Sequence, residues 1–357
     1  MDNKQRIDEL LATLQPMSDY KDTFVDHCAQ SVPRISTGLL VLDKVLNGGF
    51  ANELYIMAAE TSTGKSAFLM SLAQKIAESG VDVLYFALEM GRDEFVARGI
   101  SSLSFQHNRD SKNKQLTAAN ILYWTYDELL GDFTKLAYSQ YEQYSKYGSH
   151  LHIIESGLDG LTVKDIANLA AVFKKRKSNS VVVFVDYLQI IKADPEDRSQ
   201  SDRKTKMDVV VTTLKTLASQ IGMPVVTVSS ISRANYSGTI GTSAFKESGD
   251  TEYTGGVLIG WNWSGVTDQK DKSKQNEEKV LCKKRGYRKM ELGILKYRNS
   301  ERDSSVHLKY YPAFNYFEED KDWKSNSASE ESDEVWVSDE GMDNLFDSKK
   351  RKTVIKA

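Results

Sequence analysis

An octapeptide near the start of the chain has the composition of a phosphate-binding loop. Residues 59–66 read Ala-Glu-Thr-Ser-Thr-Gly-Lys-Ser; they follow the apolar run 54–58 and open a helical pattern that extends to about Ser79. Backbone N–H groups at a helix N-terminus, together with the helix dipole, can bind a triphosphate. Lys65 can then reach the outer phosphates, and the hydroxyl of Ser66 can hold Mg²⁺. The alternative is a serine-rich turn before a helix, and the flanking strand and helix patterns favour the phosphate loop. The predicted nucleotide-binding residues are Ala59, Glu60, Thr61, Ser62, Thr63, Gly64, Lys65, Ser66, Ala67 and Asp186.

Two acidic residues stand where predicted strands end. Asp186 follows the apolar run 181–185, the place where nucleotide hydrolases carry a second group that supports Mg²⁺. Glu89 follows the predicted strand 81–87, and a carboxylate there can orient and deprotonate a water that attacks a γ-phosphate. On position alone, Glu89 is equally well explained as a surface residue at a helix start, where the helix dipole favours negative charge.

The segment Lys296-Tyr297-Arg298-Asn299 carries two cations on one face of an extended strand, because residues two apart point the same way. Such a pair suits the stabilisation of phosphate charge, and an arginine from a neighbouring subunit can neutralise a γ-phosphoryl group in the transition state. By spacing alone, an exposed basic edge strand is the simpler interpretation.

Alternating strand and helix patterns must position these residues. Apolar runs predict strands at 54–58, 81–87, 151–154, 181–185 and 224–229, and helical spacing predicts helices at 65–79, 92–106, 117–145, 163–177 and 205–221. Nearly continuous apolar strands are typical of central parallel strands covered on both faces. The expected fold is therefore a doubly wound α/β sheet with its ligand at the carboxyl ends of the strands. Runs at 256–261, 291–297 and 305–311 predict antiparallel strands that extend the sheet.

Composition excludes several classes of protein. The 357 residues are 40% hydrophobic and 27% charged, as in an ordinary globular protein. No apolar run is long enough to cross a bilayer, and the N-terminus lacks the apolar core of a signal peptide. The chain has two cysteines, Cys28 and Cys282, which stand far apart in sequence; this favours a reducing cytoplasmic compartment. Neither the cysteines nor the five histidines have metal-ligand spacing, so no histidine or cysteine metal site is expected.

The two ends differ from the body of the chain. Residues 4–14 have one apolar helical face, and so short a helix must dock on its own domain or on a neighbour. Residues 318–347 hold twelve acidic residues against two basic ones, and five basic residues follow at 349–356. This composition predicts a disordered tail, in which the apolar island at 342–346 is a candidate partner motif, although a solvated tail is the simpler interpretation. The rest has 40 basic against 38 acidic residues, so any nucleic-acid contact must be local or created on assembly.

Together these motifs resemble the ATPase domain of the DnaB-like hexameric replicative helicases of bacteria and phages. The resemblance runs from about residue 34 to 318 and is carried by IST-G at 35–38, AAETSTGKS at 58–66, VLYFALEM at 83–90, VDYLQI at 185–190, PVVTVSSISR at 224–233, FKESGDTE at 245–252 and KYRN at 296–299. The specific pieces are DYLQ and LEM, because other recombinase-fold ATPases share the phosphate loop. The resemblance implies a RecA-like ATPase domain at 34–318, a linker or docking helix segment at 1–33 and a tail at 319–357.

The resemblance also implies an activity: a ring, expected to be a homo-hexamer, that hydrolyses ATP with Mg²⁺ and unwinds DNA in the 5′→3′ direction during replication. Lys65 and Ser66 would bind phosphates and Mg²⁺, with Asp186 supporting the metal and Glu89 as general base. Lys296 and Arg298 would act on the nucleotide of the neighbouring subunit. Arg98 matches an arginine in the helix after LEM.

Single-stranded DNA is the implied partner, held by loops after Gln189 and after Ser229 that line a central channel. Candidate contacts in these loops are Lys204, Lys206, Arg233 and Asn235, although each, taken singly, is better explained as an ordinary surface residue. A helicase loader, a primase or another replication protein would bind through the N-terminal helix or the tail, in the cytoplasm of a bacterial or phage-infected cell and with no membrane contact.

The chain departs from the family at two places. The family places a glutamine that senses the γ-phosphate where Ser230 stands, and the 33 residues before the ATPase domain cannot contain the usual primase-facing helical domain. Ser230 and the LDKVLNGGF segment at 42–50 keep a second hypothesis open, a RecA-type or clock-protein-type ATPase or loader that assembles on nucleotide without unwinding. A third hypothesis is a regulatory module whose nucleotide only holds an assembly together.

Overall fold

The computed structural model describes residues 3–12, 14, 16–20, 24, 34–123, 132–146, 148–156, 160–177, 179–194, 202–231, 239–242, 245, 256–297 and 304–323. In chain order its helices and strands are α1 (Asn3–Ala12), α2 (Leu40–Val45), β1 (Leu54–Ala59), α3 (Lys65–Glu78), β2 (Asp82–Ala87), α4 (Arg92–His107), α5 (Ala118–Leu122), α6 (Asp132–Ser145), β3 (Leu151–Glu155), α7 (Val163–Arg176), β4 (Val181–Asp186), α8 (Arg203–Ile221), β5 (Val225–Ser230), β6 (Val257–Trp263), α9 (Lys272–Arg285), β7 (Arg288–Lys296), β8 (Ser305–Tyr311) and β9 (Tyr316–Glu319).

The described strands form one nine-stranded sheet in the order β3-β2-β4-β5-β1-β6-β7-β8-β9. The six strands from β3 to β6 are parallel to their neighbours, and β7, β8 and β9 pair in antiparallel fashion. The doubly wound, mainly parallel fold predicted from the sequence is therefore confirmed, as are the antiparallel strands expected at 291–297 and 305–311.

The prediction of an antiparallel strand at 256–261 is wrong. β6 pairs in parallel with β1, and Trp261 lies opposite Ala59. A parallel pair needs a crossover connection of a dozen or more residues, and residues 231–256 between β5 and β6 are long enough to supply one. As a result, the carboxyl end of β6 lies beside the carboxyl end of β1, where the phosphate loop begins.

Helices cover both faces of the sheet, and β1 shows how alternation divides its side chains between them. Tyr55, Met57 and Ala59 pack in the core with α3, whereas Ile56 and Ala58 pack in the core with α7 and α8. All six residues of β1 are buried, as are all six of β4. Such strands need no polar face, which explains their continuous apolar sequences.

The single helix predicted at 117–145 is wrong, because the described residues of this stretch form two separate helices. Thr117 caps α5 by accepting a hydrogen bond from the Asn120 N–H, at 3.1 Å. α5 ends at Leu122, since Tyr123 has φ −126° and ψ 57°, outside the helical region. α6 then begins at Asp132, and residues 124–131 lie outside the described part of the chain.

The helix α9 was not predicted, and its burial explains why. Cys282 is its single buried residue, so the sequence carries no apolar periodicity to detect. Its ends are conventional: the Asp271 side chain accepts from the Ser273 N–H at 2.8 Å, and Gly286 ends the helix with a φ of 81°.

At the N-terminus, α1 ends at Ala12, two residues before the predicted end. Ile7 is 49% exposed and Leu11 is 56% exposed, so the described part of the chain does not cover the apolar face of α1. A second compact unit spans Asp320–Ala357, of which residues 320–323 are described; the predicted disorder of the tail and its 342–346 island lie outside the described residues. Within the described ranges, no helix combines the length and apolarity that crossing a membrane requires.

Candidate functional site

The predicted phosphate loop forms a tight turn between β1 and α3. Gly64 is the N-cap residue of α3 and has a φ of 98°, in the left-handed region that glycine adopts without strain. A Cβ on Gly64 would lie 2.7 Å from the ring of Tyr310, so this position has no room for a larger residue. The first N–H groups of any helix lack acceptors within it, and after so sharp a turn they can bind a phosphate group.

Side chains from β6 and β7 hold this loop in place. Trp261 Nε1 donates to the Thr63 carbonyl at 3.2 Å, and Arg288 Nη1 donates to the Ser62 carbonyl at 3.0 Å. Within the loop, Thr63 Oγ1 donates to the Glu60 carbonyl at 2.8 Å. In all three bonds the loop supplies a backbone carbonyl as the acceptor.

The Lys65 ammonium lies inside the turn. Its Nζ donates to the Glu60 carbonyl at 3.1 Å and to Ser230 Oγ at 3.0 Å, and it lies 3.4 Å from the Ala59 carbonyl. Burial lowers the pKa of Lys65, while the charges of Asp186, Glu89 and Glu60 oppose that shift. The ammonium is therefore partly desolvated and held by weak neutral acceptors, so a phosphate would be a stronger partner.

Asp186 is at the end of β4 and is 1% exposed. Ser66 Oγ donates to Asp186 Oδ1 at 3.2 Å, and the Tyr85 hydroxyl donates to Asp186 Oδ2 at 3.1 Å. Burial raises the pKa of Asp186 to about 6, although the two hydrogen bonds lower it and the nearby charge of Lys65 also favours ionisation. The carboxylate is thus a desolvated charge that lacks a full counterion.

The oxygen atoms at this point suit Mg²⁺. Mg²⁺ binds few protein groups and completes its coordination with phosphate oxygens and water. Ser66 Oγ and the Asp186 carboxylate could be two such ligands, and a divalent cation would favour the ionised carboxylate that burial disfavours. Within the described ranges, no group of three or more His, Cys, Asp or Glu side chains could hold a metal by itself. The site therefore fits a metal that arrives with a phosphate ligand.

Glu89 lies two residues beyond the end of β2, beside β4, since Ala87 of β2 is opposite Asp186. Its side chain is exposed, and its charge acts on Lys65, Asp186 and Tyr187. An exposed carboxylate at the carboxyl edge of the sheet, next to the predicted phosphate loop, is placed where it could contact a water beside a bound phosphate.

Lys296 lies two strands away from β1 and does not reach the level of the phosphate loop. It ends the antiparallel strand β7 opposite Leu258, and Leu258 is opposite Ile56 of β1, three residues before the strand ends at Ala59. The neighbouring Tyr297 is buried, and its hydroxyl accepts from Arg34 at 2.7 Å. Lys296 is thus separate from the cluster that contains Lys65. Arg298, predicted to act with Lys296, lies outside the described residues.

The residues predicted to contact DNA are only partly described. Lys204 and Lys206 lie in the first turns of α8, where Lys204 is exposed. Lys206 is half-buried, and its Nζ donates to the Ile191 carbonyl at 2.8 Å. Arg233 and Asn235 lie outside the described residues. Arg98, matched by resemblance alone, pairs with Glu94 one helical turn away, at 2.5 Å.

Sequence reasoning missed four side chains that shape the site: Tyr85, Gln189, Trp261 and Arg288. A tyrosine inside a buried strand needs a hydrogen-bond partner, so Tyr85 could have been identified as facing a polar group. Trp261 and Arg288 support the loop from strands distant in sequence, and only the order of the sheet brings them there.

Comparison with known proteins agrees with this geometry. The profile of the DnaB-like helicase C-terminal domain matches residues 34–319. The chain is similar to replicative DNA helicase DnaC of Bacillus subtilis, with 26% identity over 255 residues that cover 70% of this chain and 52% of that protein. It is also similar to replicative DNA helicase DnaB of Haemophilus influenzae, with 31% identity over 204 residues that cover 57% of this chain and 40% of that protein. The chain thus spans about half, or less, of the length of these curated relatives.

Among solved structures, one of a DnaB-like replicative helicase, described with its interactions with primase, has a TM-score of 0.65 at 19% identity and covers 88% of this chain and 70% of that chain. At that identity the likeness shows the fold alone, which is the RecA-like arrangement predicted from the sequence. Since the family profile extends over most of the chain, this protein belongs to the DnaB-like helicase C-terminal domain family.

Proposed function

We propose that this chain is an ATP-dependent DNA helicase that moves 5′→3′ along single-stranded DNA as a homo-hexameric ring in DNA replication. The observation that carries the proposal is the convergence of Lys65, Ser66, Asp186 and Glu89 at one edge of the sheet, in a chain of the DnaB-like family. The replicative helicases of Bacillus subtilis and Haemophilus influenzae, to which it is similar, support the same activity.

Each residue of this cluster has a chemical role in the proposal. The Lys65 ammonium would exchange its carbonyl acceptors for the outer phosphates of ATP and keep its bond to Ser230 Oγ. Ser66 and Asp186 would hold Mg²⁺, which neutralises charge on phosphate oxygens. Glu89 would orient the attacking water and accept its proton.

Lys296 supports the second half of the proposal, a composite site between subunits. Its level in the sheet is that of Ile56, three residues before the loop begins, which corresponds to a separation of about 10 Å along the strand. Because of this separation, and because β6 lies between β1 and β7, Lys296 is poorly placed for the nucleotide of its own subunit. Lys296 and Arg298 would therefore stabilise the phosphates of the neighbouring subunit.

The segments after Gln189 and after Ser229 would line the channel and hold one DNA strand. Lys204, Arg233 and Asn235 are the candidates for phosphate contacts, which would make binding salt-dependent and independent of sequence. Lys206 is a weaker candidate than predicted, because its ammonium already binds the Ile191 carbonyl.

The regions outside the proposed motor domain, residues 34–318, would contact other proteins. Within residues 1–33, α1 exposes Ile7 and Leu11 and would dock on an adjacent subunit. The tail, residues 319–357, or α1 would contact a helicase loader, a primase or another replication protein.

Strand displacement on a forked duplex tests the proposal. The wild-type chain should separate the strands with ATP and Mg²⁺, and Lys65→Ala should abolish both ATP turnover and separation. Lys175→Ala, a change of an exposed lysine on α7, is the matched control and should behave as wild type. ATP turnover without any strand separation would contradict the proposal and favour the RecA-type or clock-protein-type alternative.

A further inference from the structure

The side chain of Gln189 lies at the end of β5, beyond the point where β4 stops pairing with it. The pairing of β4 with β5 extends to Val185 opposite Thr227. On its other side, β5 continues beside β1 until Ser230 is opposite Ala59. The last residues of β5 therefore have a sheet neighbour on one side only, and Gln189 lies on the other side.

The Gln189 carboxamide makes the bonds that a neighbouring strand would make. Its Oε1 accepts from the Ser230 N–H at 3.2 Å, and its Nε2 donates to the Ser230 carbonyl at 3.3 Å. The same Nε2 donates to Ser229 Oγ at 2.8 Å. One side chain thus satisfies both backbone groups of Ser230. It takes the place of a neighbouring strand there and holds the end of β5 in position.

Ser230 connects the Gln189 side chain to the phosphate loop. Lys65 Nζ donates to Ser230 Oγ at 3.0 Å. Because Lys65 would hold the outer phosphates of ATP, Ser230 Oγ would be linked to the reacting phosphate through the Lys65 ammonium. The position of Ser230 therefore bears on Lys65, and Gln189 sets that position.

The backbone around Gln189 is also tied to α8. Lys206 Nζ lies 2.8 Å from the Ile191 carbonyl and 3.5 Å from the Gln189 carbonyl. The two segments proposed to contact DNA leave the sheet from here, one after the turn that contains Gln189 and one after the strand that ends at Ser230. Gln189 joins the starting points of both segments, by its backbone to the first and by its side chain to the second.

We propose that Gln189 is a positioning residue that couples ATP turnover at Lys65 to the binding of single-stranded DNA. This inference rests on the proposed function. DNA held by either segment changes the position of the Gln189–Ser230 pair, and Ser230 Oγ transmits that change to the Lys65 ammonium. Gln189 itself contacts neither phosphate nor DNA in this scheme.

The test measures ATP turnover by the full chain with and without an oligothymidylate, over a range of ATP concentrations. Gln189→Ala should lower the ratio of stimulated to unstimulated kcat by about tenfold, a typical size for coupling between sites, while KM for ATP changes by less than about twofold. Gln189→Glu keeps the acceptor for the Ser230 N–H but loses both donated bonds, so it should lower the ratio even if Gln189→Ala fails to fold.

Three further variants make the result specific. Ser230→Ala should also lower the ratio of stimulated to unstimulated kcat, whereas Ser230→Thr should preserve it because the hydroxyl remains. The double variant Gln189→Ala/Ser230→Ala should have the same ratio as Ser230→Ala, because the two residues act in series. Gln220→Ala, a change of an exposed glutamine on α8, is the control and should match wild type.

The outcomes separate this inference from the function on which it rests. If DNA stimulates wild type and Gln189→Glu to the same extent, the coupling role of Gln189 is overturned and the helicase proposal stands. If DNA fails to stimulate wild-type turnover at all, the helicase proposal is overturned and the coupling role falls with it. Loss of stimulation together with loss of DNA affinity in Gln189→Ala would also overturn the inference, because Gln189 would then be a binding residue.

Discussion

Replacing Asp186 by asparagine should stabilise the nucleotide-free protein near neutral pH, although it removes a proposed metal ligand. Asp186 is 1% exposed, and burial raises the pKa of its carboxyl from 3.8 to about 6. Because one pKa unit corresponds to about 1.4 kcal/mol, that rise corresponds to a cost of about 3 kcal/mol for ionising Asp186 in the folded state. Asparagine has nearly the same shape and no charge, and its oxygen can still accept from Ser66 Oγ.

The direction of the pH dependence follows from proton binding. Between the ordinary pKa of 3.8 and the folded-state pKa of about 6, the folded protein binds more protons at Asp186 than the unfolded chain does. The wild-type free energy of unfolding therefore falls as pH rises through this window, and Asp186→Asn removes that fall. We expect the variant to be more stable than wild type by about 1–3 kcal/mol at about pH 7.5, with an advantage smaller by about 2 kcal/mol at about pH 4.5.

Urea unfolding followed by circular dichroism, with a chelator present, measures this difference at both pH values. Asp82→Asn is the contrasting control. Burial alone would raise the pKa of Asp82, but the hydrogen bond and the charge of Lys177 outweigh burial and lower the pKa. Asp82→Asn should therefore destabilise the protein at neutral pH. A difference between wild type and Asp186→Asn that does not change with pH, or a variant less stable than wild type at neutral pH, would refute the reasoning.

Three further changes have defined outcomes. Gly64→Ala should lower the free energy of unfolding by about 1–3 kcal/mol, because of its positive φ and its contact with Tyr310, and should abolish binding of a fluorescent nucleotide. Tyr85→Phe removes a bond that lowers the pKa of Asp186, so stability should fall by about 1 kcal/mol and its pH-dependent loss should extend to higher pH; an unchanged urea titration curve would count against this. Arg298→Ala should reduce ATP turnover by about a thousandfold or more with nucleotide affinity retained, and an equal loss of affinity would argue against action on a neighbour's nucleotide.

Much of the fold could be predicted because its central strands are continuously apolar. The strands at β1, β2, β4 and β5 lie where the sequence placed them, since burial on both faces leaves a strong and local signal. The turn between β1 and α3 could be predicted too, because small residues separate an apolar run from a helical pattern; its role in phosphate binding stays a prediction.

The features that sequence reasoning missed depend on contacts between distant segments. The parallel pairing of β6 depends on its partner β1, and the sequence of residues 257–263 alone does not indicate whether the strand pairs in parallel or antiparallel fashion. The helix α9 has one buried residue, so it carries no amphipathic pattern. The bonds of Gln189 to Ser230 join the turn after β4 to the end of β5, and neither local sequence indicates the other.

The central claim is a site completed by two subunits around one nucleotide. Electron microscopy of the chain with single-stranded DNA and a non-hydrolysable ATP analogue tests it most directly. We expect a closed ring with one strand in its pore, the triphosphate at Lys65, and Lys296 and Arg298 of the adjacent subunit beside the outer phosphates. Particles that remain monomeric under conditions in which the same preparation hydrolyses ATP at its full rate would contradict the claim.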